Sequence, residues 1–298
     1  MITAAWALVQ YRETPGDTVA TGIHVDGRTF GVPEPMSGLS VLDLVQDWER
    51  WSRELRQLDP TSLTEIADAQ VTAPLTYPHK VICAGANYYD HAEEMGTERP
   101  DPAAEPFFFL KTPTTTIVGP HATIAIADNG YSQVDWEAEL GVVIGRRCAD
   151  LADTEVTDVI AGYIVANDIS DRGVFHRDGS VFPAFDWDWL GHKSQDGFCP
   201  IGPGLVPSWL VPDPQSLAIR LDVNGVTKQD SNTSQMVVDV FRVVAAASRL
   251  LTLEPGDIVL TGTPAGVGMP RKDFLKPGDV VAVEIEGIGR ISNKVVRK

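Results

Sequence analysis

The chain has 298 residues, 43% of them hydrophobic and 22% charged, which supplies apolar material for a sizeable core and argues against a disordered chain. Its 24 Lys and Arg against 41 Asp and Glu leave a net charge of −17, which repels phosphate backbones and anionic lipid and so argues against nucleic acid or a membrane surface as partner. The three cysteines, Cys83, Cys148 and Cys199, lie far apart with no CxxC pair, and read as reduced thiols of a cytoplasmic protein rather than a disulfide framework or a zinc site.

The start, MITAAWALVQYRE, has no basic leading region, and its apolar stretch is too short for a signal peptide. No window reaches the ~18 uninterrupted apolar residues of a membrane span. Residues 1–75 read as a small N-terminal α/β module. WALVQY (6–11) and TGIHV (21–25) are strand-like, with DGRTFGV (26–32) as turn and return strand. A helix follows over 40–58, with Ser40 as cap and Asp43 as its reciprocal partner, and Leu42, Val45, Trp48, Leu55 and Leu58 along one stripe. The polar, proline-bearing stretch 61–78 carries the boundary. Residues 76–298 form the second, catalytic unit.

That second unit is rich in short β-branched and apolar runs: 80–86, 107–111, 138–145, 163–168, 217–225, 257–263 and 279–289. Turn signals at Val-Asn-Gly-Val, Glu-Pro-Gly-Asp and Lys-Pro-Gly-Asp separate some of them, and one further helix is expected over 234–251. The fold class is therefore mixed α/β and β-dominated, a barrel or roll without βαβ alternation.

Three segments could carry chemistry. In VDWEAELGVVIG (134–145), Glu137 and Glu139 are two apart and share one face of a strand whose continuation is apolar. Two inward carboxylates repel each other unless a cation sits between them, whereas at a solvated strand start they need none. In GYIVANDISDR (162–172), Asp168 follows a buried-looking run, either delivering a carboxylate to a site or serving as an ordinary turn residue. In GANYYDHAEEMG (85–96), His91 and Glu94 are three apart, so one helical turn makes them neighbours. Such a carboxylate orients an imidazole as a general base, although a solvated surface pair has the same spacing. Lys193 in WLGHKSQDG and Thr263 in LTGTPAG are weaker candidates, equally readable as a surface charge and a turn hydroxyl. No zincin, Walker, Rossmann or GxSxG pattern is present.

Taken in order, GANYYDHAEEMG, PFFFLKTPTTTIVGP, VDWEAELGVVIG, GYIVANDISDR, GHKSQDGFCPIGPGL, VNGVTKQDSNTSQM, LEPGDIVLTGTPAGVG and FLKPGDVVAVEIEGIGRISNKV resemble the fumarylacetoacetate hydrolase family over about residues 80–296. The resemblance implies a β-sandwich roll, a homodimer, and a small-molecule oxo-acid substrate. It matches Glu137, Glu139 and Asp168 to metal ligands, His91 and Glu94 to a catalytic pair on a lid, Lys193 to an active-site lysine, and Arg172 and Thr263 to substrate contacts. Three carboxylates suit Mg²⁺ or Mn²⁺, with Ca²⁺ able to substitute. The implied reaction is hydrolysis of a C–C bond in a 1,3-dioxo or 2-oxo acid through a metal-stabilised enolate, with decarboxylation or isomerisation as alternatives on the same site and a non-catalytic metal-dependent binding protein behind them. The pattern departs at Phe175, where the family commonly carries Gln, and the stretch 173–192 is longer and more aromatic than usual.

Overall fold

The computed structural model describes residues 6–298 apart from Pro15. The first five residues of the segment read as free of a signal peptide lie outside the described residues. No helix among the described residues is long and apolar enough to cross a membrane.

Two sheets dominate. The larger has eleven strands, with a main path running Arg28–Gly31, Ala20–Val25, Ala7–Arg12, Cys199–Pro207, Ile160–Asn167, Ala138–Ile144, Ile258–Leu260, Val81–Gly85 and Phe107–Lys111. The second has five: Val226–Asn232, Ala218–Val223, Val280–Ile285, Gly289–Arg297 and Ile124–Ile126. Ala138–Ile144 and Ile160–Asn167 are buried at every position, which is why, apart from Glu139 and the terminal Asn167, they read as continuous apolar runs rather than alternating ones. The β-dominated roll expected from the sequence is thus the observed fold.

Their antiparallel register decides where the acidic residues go. Ala138 faces Asn167 and Leu140 faces Val165, so Glu137, just before one strand, and Asp168, just after the other, leave the sheet at the same end. The Asp168 amide donates to the Glu137 carbonyl at 2.8 Å, extending the ladder across that end.

The N-terminal strands add to the large sheet rather than forming one of their own: Ala7–Arg12 pairs with Cys199–Pro207. Trp6, Leu8 and Ile23 share a buried cluster with Ile164, Ala166 and Leu260. The helix expected over 40–58 is two helices, Val41–Gln46 and Trp48–Leu55, with Asp47 non-helical between them. Ser40 and Asp43 do form the capping box. The break lets Val41, Leu44 and Val45 and then Trp48, Trp51 and Leu55 meet one core. The later helix is shorter than expected, Val240–Leu250, because Asp239 caps it by accepting from the Arg242 amide.

Gly162, on the strand that ends at Asp168, lies so close to its neighbour that an added Cβ would sit 2.1 Å from the Val206 carbonyl oxygen. Gly162→Ala should therefore cost about 3 kcal/mol or more, read from urea midpoints. An unchanged midpoint would contradict this packing.

Candidate active site and metal centre

Glu137, Glu139 and Asp168 converge. Each offers a carboxylate oxygen within 4.8 Å of the others, and all three side chains are buried. The period-2 strand geometry that places Glu137 and Glu139 on one face is realised, and Asp168 joins them from the adjacent strand end. Burial pushes the Glu139 carboxyl well above the usual carboxylate range, reinforced by the charges of Asp168 and Glu137. Burial alone would raise Glu137 too, but the Lys193 ammonium and Arg172 guanidinium reverse this and hold it below its ordinary value.

Three cations surround the cluster. Lys193 donates to Glu137 Oε2 at 2.8 Å and Asp168 Oδ2 at 2.7 Å. Arg172 donates through Nη2 to Glu137 Oε1 at 2.5 Å and through Nε to Asp135 Oδ2 at 3.1 Å. Lys111, buried at the end of the outermost strand of the large sheet, donates to Asp168 Oδ1 and to the Ile169 carbonyl. Asp135 is itself buried and also accepts from the amides of Trp136, Gly268 and Met269. Four carboxylates thus face three cations, and Glu139 is the one without a cationic partner among the described residues. Among those residues its Oε2 accepts from the Gly262 amide alone, at 2.6 Å.

This donor set fits a hard divalent cation. It consists of oxygen ligands alone, one of its carboxylates, Glu139, has no cationic partner among the described residues, and no imidazole or thiolate joins the cluster among them. Two polar atoms near it are also buried without a partner: the Tyr88 hydroxyl and Asn167 Nδ2. Asn167 immediately precedes Asp168, and the Glu139 charge is one cause, after burial, of a strongly raised Tyr88 pKa. Burial pushes the Cys199 thiol up to about 12 and the Cys83 thiol well above its ordinary value, so neither is an activated nucleophile.

His91 and Glu94 lie on the short helix Tyr89–Glu94, with His91 Nδ1 3.5 Å from Glu94 Oε2. Glu94 accepts from the Gly266 amide at 3.0 Å and from Arg271 at 2.9 Å, which ties the helix to the loop following Ile258–Leu260. The same loop supplies the Gly262 amide to Glu139, so the pair and the acidic cluster share one support. Thr263 is buried, and its hydroxyl accepts from Gln229 Nε2 at 2.9 Å. Gln229 also accepts from the Ala138 amide, between the two glutamates, and so bridges the loop to the acidic strand.

Lys111, Asp135 and Gln229 were not singled out from the sequence. Asp135 continues the alternation 135, 137, 139 and could have been found that way. Lys111 gives no such sign at the end of FFFLK. The stretch 173–192 folds over Arg172 and Lys193. Phe175 packs on Trp187, Trp189 and His192, and Trp189 also meets Phe107 and Phe109. Phe109 in turn lies 4.9 Å under the Lys193 ammonium. Trp187 and Phe107 remain more than half exposed.

Comparison with known proteins gives a consistent picture. Residues 80–296 match the family described as fumarylacetoacetate (FAA) hydrolase, C-terminal. The mitochondrial oxaloacetate tautomerase Fahd2a of Rattus norvegicus is 41% identical over 303 aligned residues, covering 97% of this chain and 91% of the relative. Among solved structures, fumarylacetoacetate hydrolase from Exiguobacterium antarcticum superposes with a TM-score of 0.81 at 32% identity, over 98% of this chain and all of that one. Maleylpyruvate hydrolase from Sphingobium sp. SYK-6, solved with manganese(II) and pyruvate, gives 0.75 at 27% identity, over 98% and 99%.

A carboxylate whose folded pKa is raised contributes stability at low pH that is lost as pH rises through that folded value. Glu139→Gln should therefore stabilise the metal-free protein against urea, with a larger gain at pH 8 than at pH 5. A variant that is equally or less stable at both pH values would contradict the electrostatics described.

Proposed function

The chain belongs to the fumarylacetoacetate hydrolase family, and on that footing we propose that it is a Mg²⁺- or Mn²⁺-dependent hydrolase that cleaves a C–C bond in a 1,3-dioxo or 2-oxo acid. The observation that carries the reading is the buried Glu137, Glu139 and Asp168 cluster, with the His91–Glu94 pair braced on the loop that also holds Glu139. A divalent cation held by the three carboxylates supplies Lewis acidity toward the neighbouring oxygens of such an acid.

The remaining work falls to side chains. Glu94, fixed by Gly266 and Arg271, lies 3.5 Å from His91 Nδ1, where a small approach would let it accept from that nitrogen and orient His91 to take a proton from the attacking water. Lys193 supplies positive charge where an oxyanion develops. Arg172 receives the substrate carboxylate, and Thr263, held by Gln229, offers its hydroxyl to the substrate. Manganese in the Sphingobium hydrolase favours a cation of this hardness, and that enzyme's pyruvate favours a 2-oxo acid. The partners proposed are small oxo acids and a second copy of the chain in a homodimer.

A second reading is tautomerisation of oxaloacetate, favoured by the name of the rat relative. It uses the same groups, with His91 moving a proton between carbon and oxygen and no attacking water. Turnover in ¹⁸O-labelled water separates the two. Hydrolysis of an acylpyruvate places label in the released carboxylate, whereas loss of enol absorbance from oxaloacetate without cleavage supports the tautomerase. Glu139→Ala should lower either rate more than about a hundredfold in saturating Mn²⁺. Full activity of Glu139→Ala after metal stripping would overturn the assignment.

A further inference from the structure

The guanidinium of Arg172 carries five N–H groups in a rigid fork. The protein occupies three of them, each on a different nitrogen: Nε on Asp135 at 3.1 Å, Nη2 on Glu137 at 2.5 Å, and Nη1 opposite His192 Nε2 at 3.4 Å. Among the described residues one N–H on each terminal nitrogen has no partner, which leaves the guanidinium donors to offer a carboxylate. The two carboxylates hold Nε and Nη2, and among the described residues His192 is the partner of Nη1.

His192 is built for this contact. Its Nδ1 lies 3.0 Å from the Asp171 carbonyl oxygen, which can only accept, so the ring proton sits on Nδ1 and Nε2 presents a lone pair. The ring is 1% exposed, stacks on Phe175 at 4.2 Å and 27°, and meets the edge of Trp189 at 5.9 Å. It belongs to the short helix Trp189–Lys193, capped by Asp188, which also delivers Lys193 to the carboxylates. Burial, followed by the charges of Lys193 and Arg172, pushes its pKa down to about 3, so that lone pair persists at neutral pH.

We propose that His192 is a positioning residue, which accepts from Arg172 Nη1 through Nε2 and so sets the angle at which the arginine meets the substrate carboxylate. The aromatic stretch 173–192 then acts on the site through Phe175, which clamps the imidazole plane. The role of Arg172 rests on the function proposed above, whereas the tautomer and the contact do not.

Two measurements decide it. In ¹⁵N-histidine-labelled wild-type protein at pH 7, with the resonance assigned by its loss in His192→Phe, His192 should be the neutral Nδ1–H tautomer. The Nε2–H tautomer or an imidazolium would overturn the proposal. In the Mn²⁺-loaded protein, His192→Phe keeps the stacked ring but removes the acceptor, and should weaken pyruvate binding about tenfold by calorimetry. Mn²⁺ affinity should stay within about twofold, and His192→Gln, which returns an acceptor oxygen, should recover most of the loss. Unchanged pyruvate affinity in His192→Phe, or Mn²⁺ affinity falling in parallel, would overturn it. A wild-type protein that binds Mn²⁺ but not pyruvate would count against the proposed substrate class instead, and the tautomer would then decide the positioning role.

Discussion

Like charges placed close together without water are the constraint around which this molecule is arranged. Carboxylate oxygens within 4.8 Å of one another repel by at least about 3 kcal/mol per pair at an effective dielectric of about 20. Burial removes the solvent that would otherwise relieve this, and Asp135 adds a fourth buried carboxylate alongside. The fold answers with Lys111, Lys193 and Arg172, drawn from three separate parts of the chain, and leaves Glu139 without a cationic partner among the described residues. A cluster assembled only for stability would do better with apolar residues of similar volume, since burying charge costs more than most pairs return. The oxygen-only donors and a third carboxylate left without a cationic partner fit a site for a hard dication.

The architecture holds this arrangement rigid. Fully buried strands bring Glu139 up from inside the sheet, while Glu137 and Asp168 sit where two strands leave it. Amides of the loop after Ile258–Leu260 then fasten Glu139 and Glu94, and Gln229 ties that loop back to the acidic strand. Precision therefore comes from the sheet, and the chemistry comes from the loops at one end of it. The 173–192 stretch adds an aromatic layer over the cationic side, running from Phe109 beneath Lys193 out to the exposed Trp187.

Much of this was legible before any coordinates. The apolar run LGVVI that follows Glu139 announced a buried strand, and the two-residue spacing of Glu137 and Glu139 announced a shared face. Other elements were hidden for physical reasons. The strand Cys199–Pro207 contains three prolines and two glycines, ordinary turn signals that tertiary pairing overrides. Gly289–Arg297 and Val226–Asn232 carry too many polar residues to look buried, because each turns only some of its side chains inward. The break at Asp47 was invisible because the apolar stripe continues through it. Lys111 and His192 escaped notice because their importance comes from partners 57 and 20 residues away, Asp168 and Arg172, and spacing carries no trace of such contacts.

If residues 137, 139 and 168 together hold one divalent ion, its stoichiometry and its dependence on each carboxylate can be read directly. Electron paramagnetic resonance of free Mn²⁺, titrated against metal-stripped protein, counts bound ions directly without reference to any substrate. The wild type should bind one Mn²⁺ per chain, and that binding should be lost separately in Glu137→Gln, Glu139→Gln and Asp168→Asn while the variants remain folded. No binding by the wild type, or binding that survives all three substitutions, would contradict a metal site built from these carboxylates.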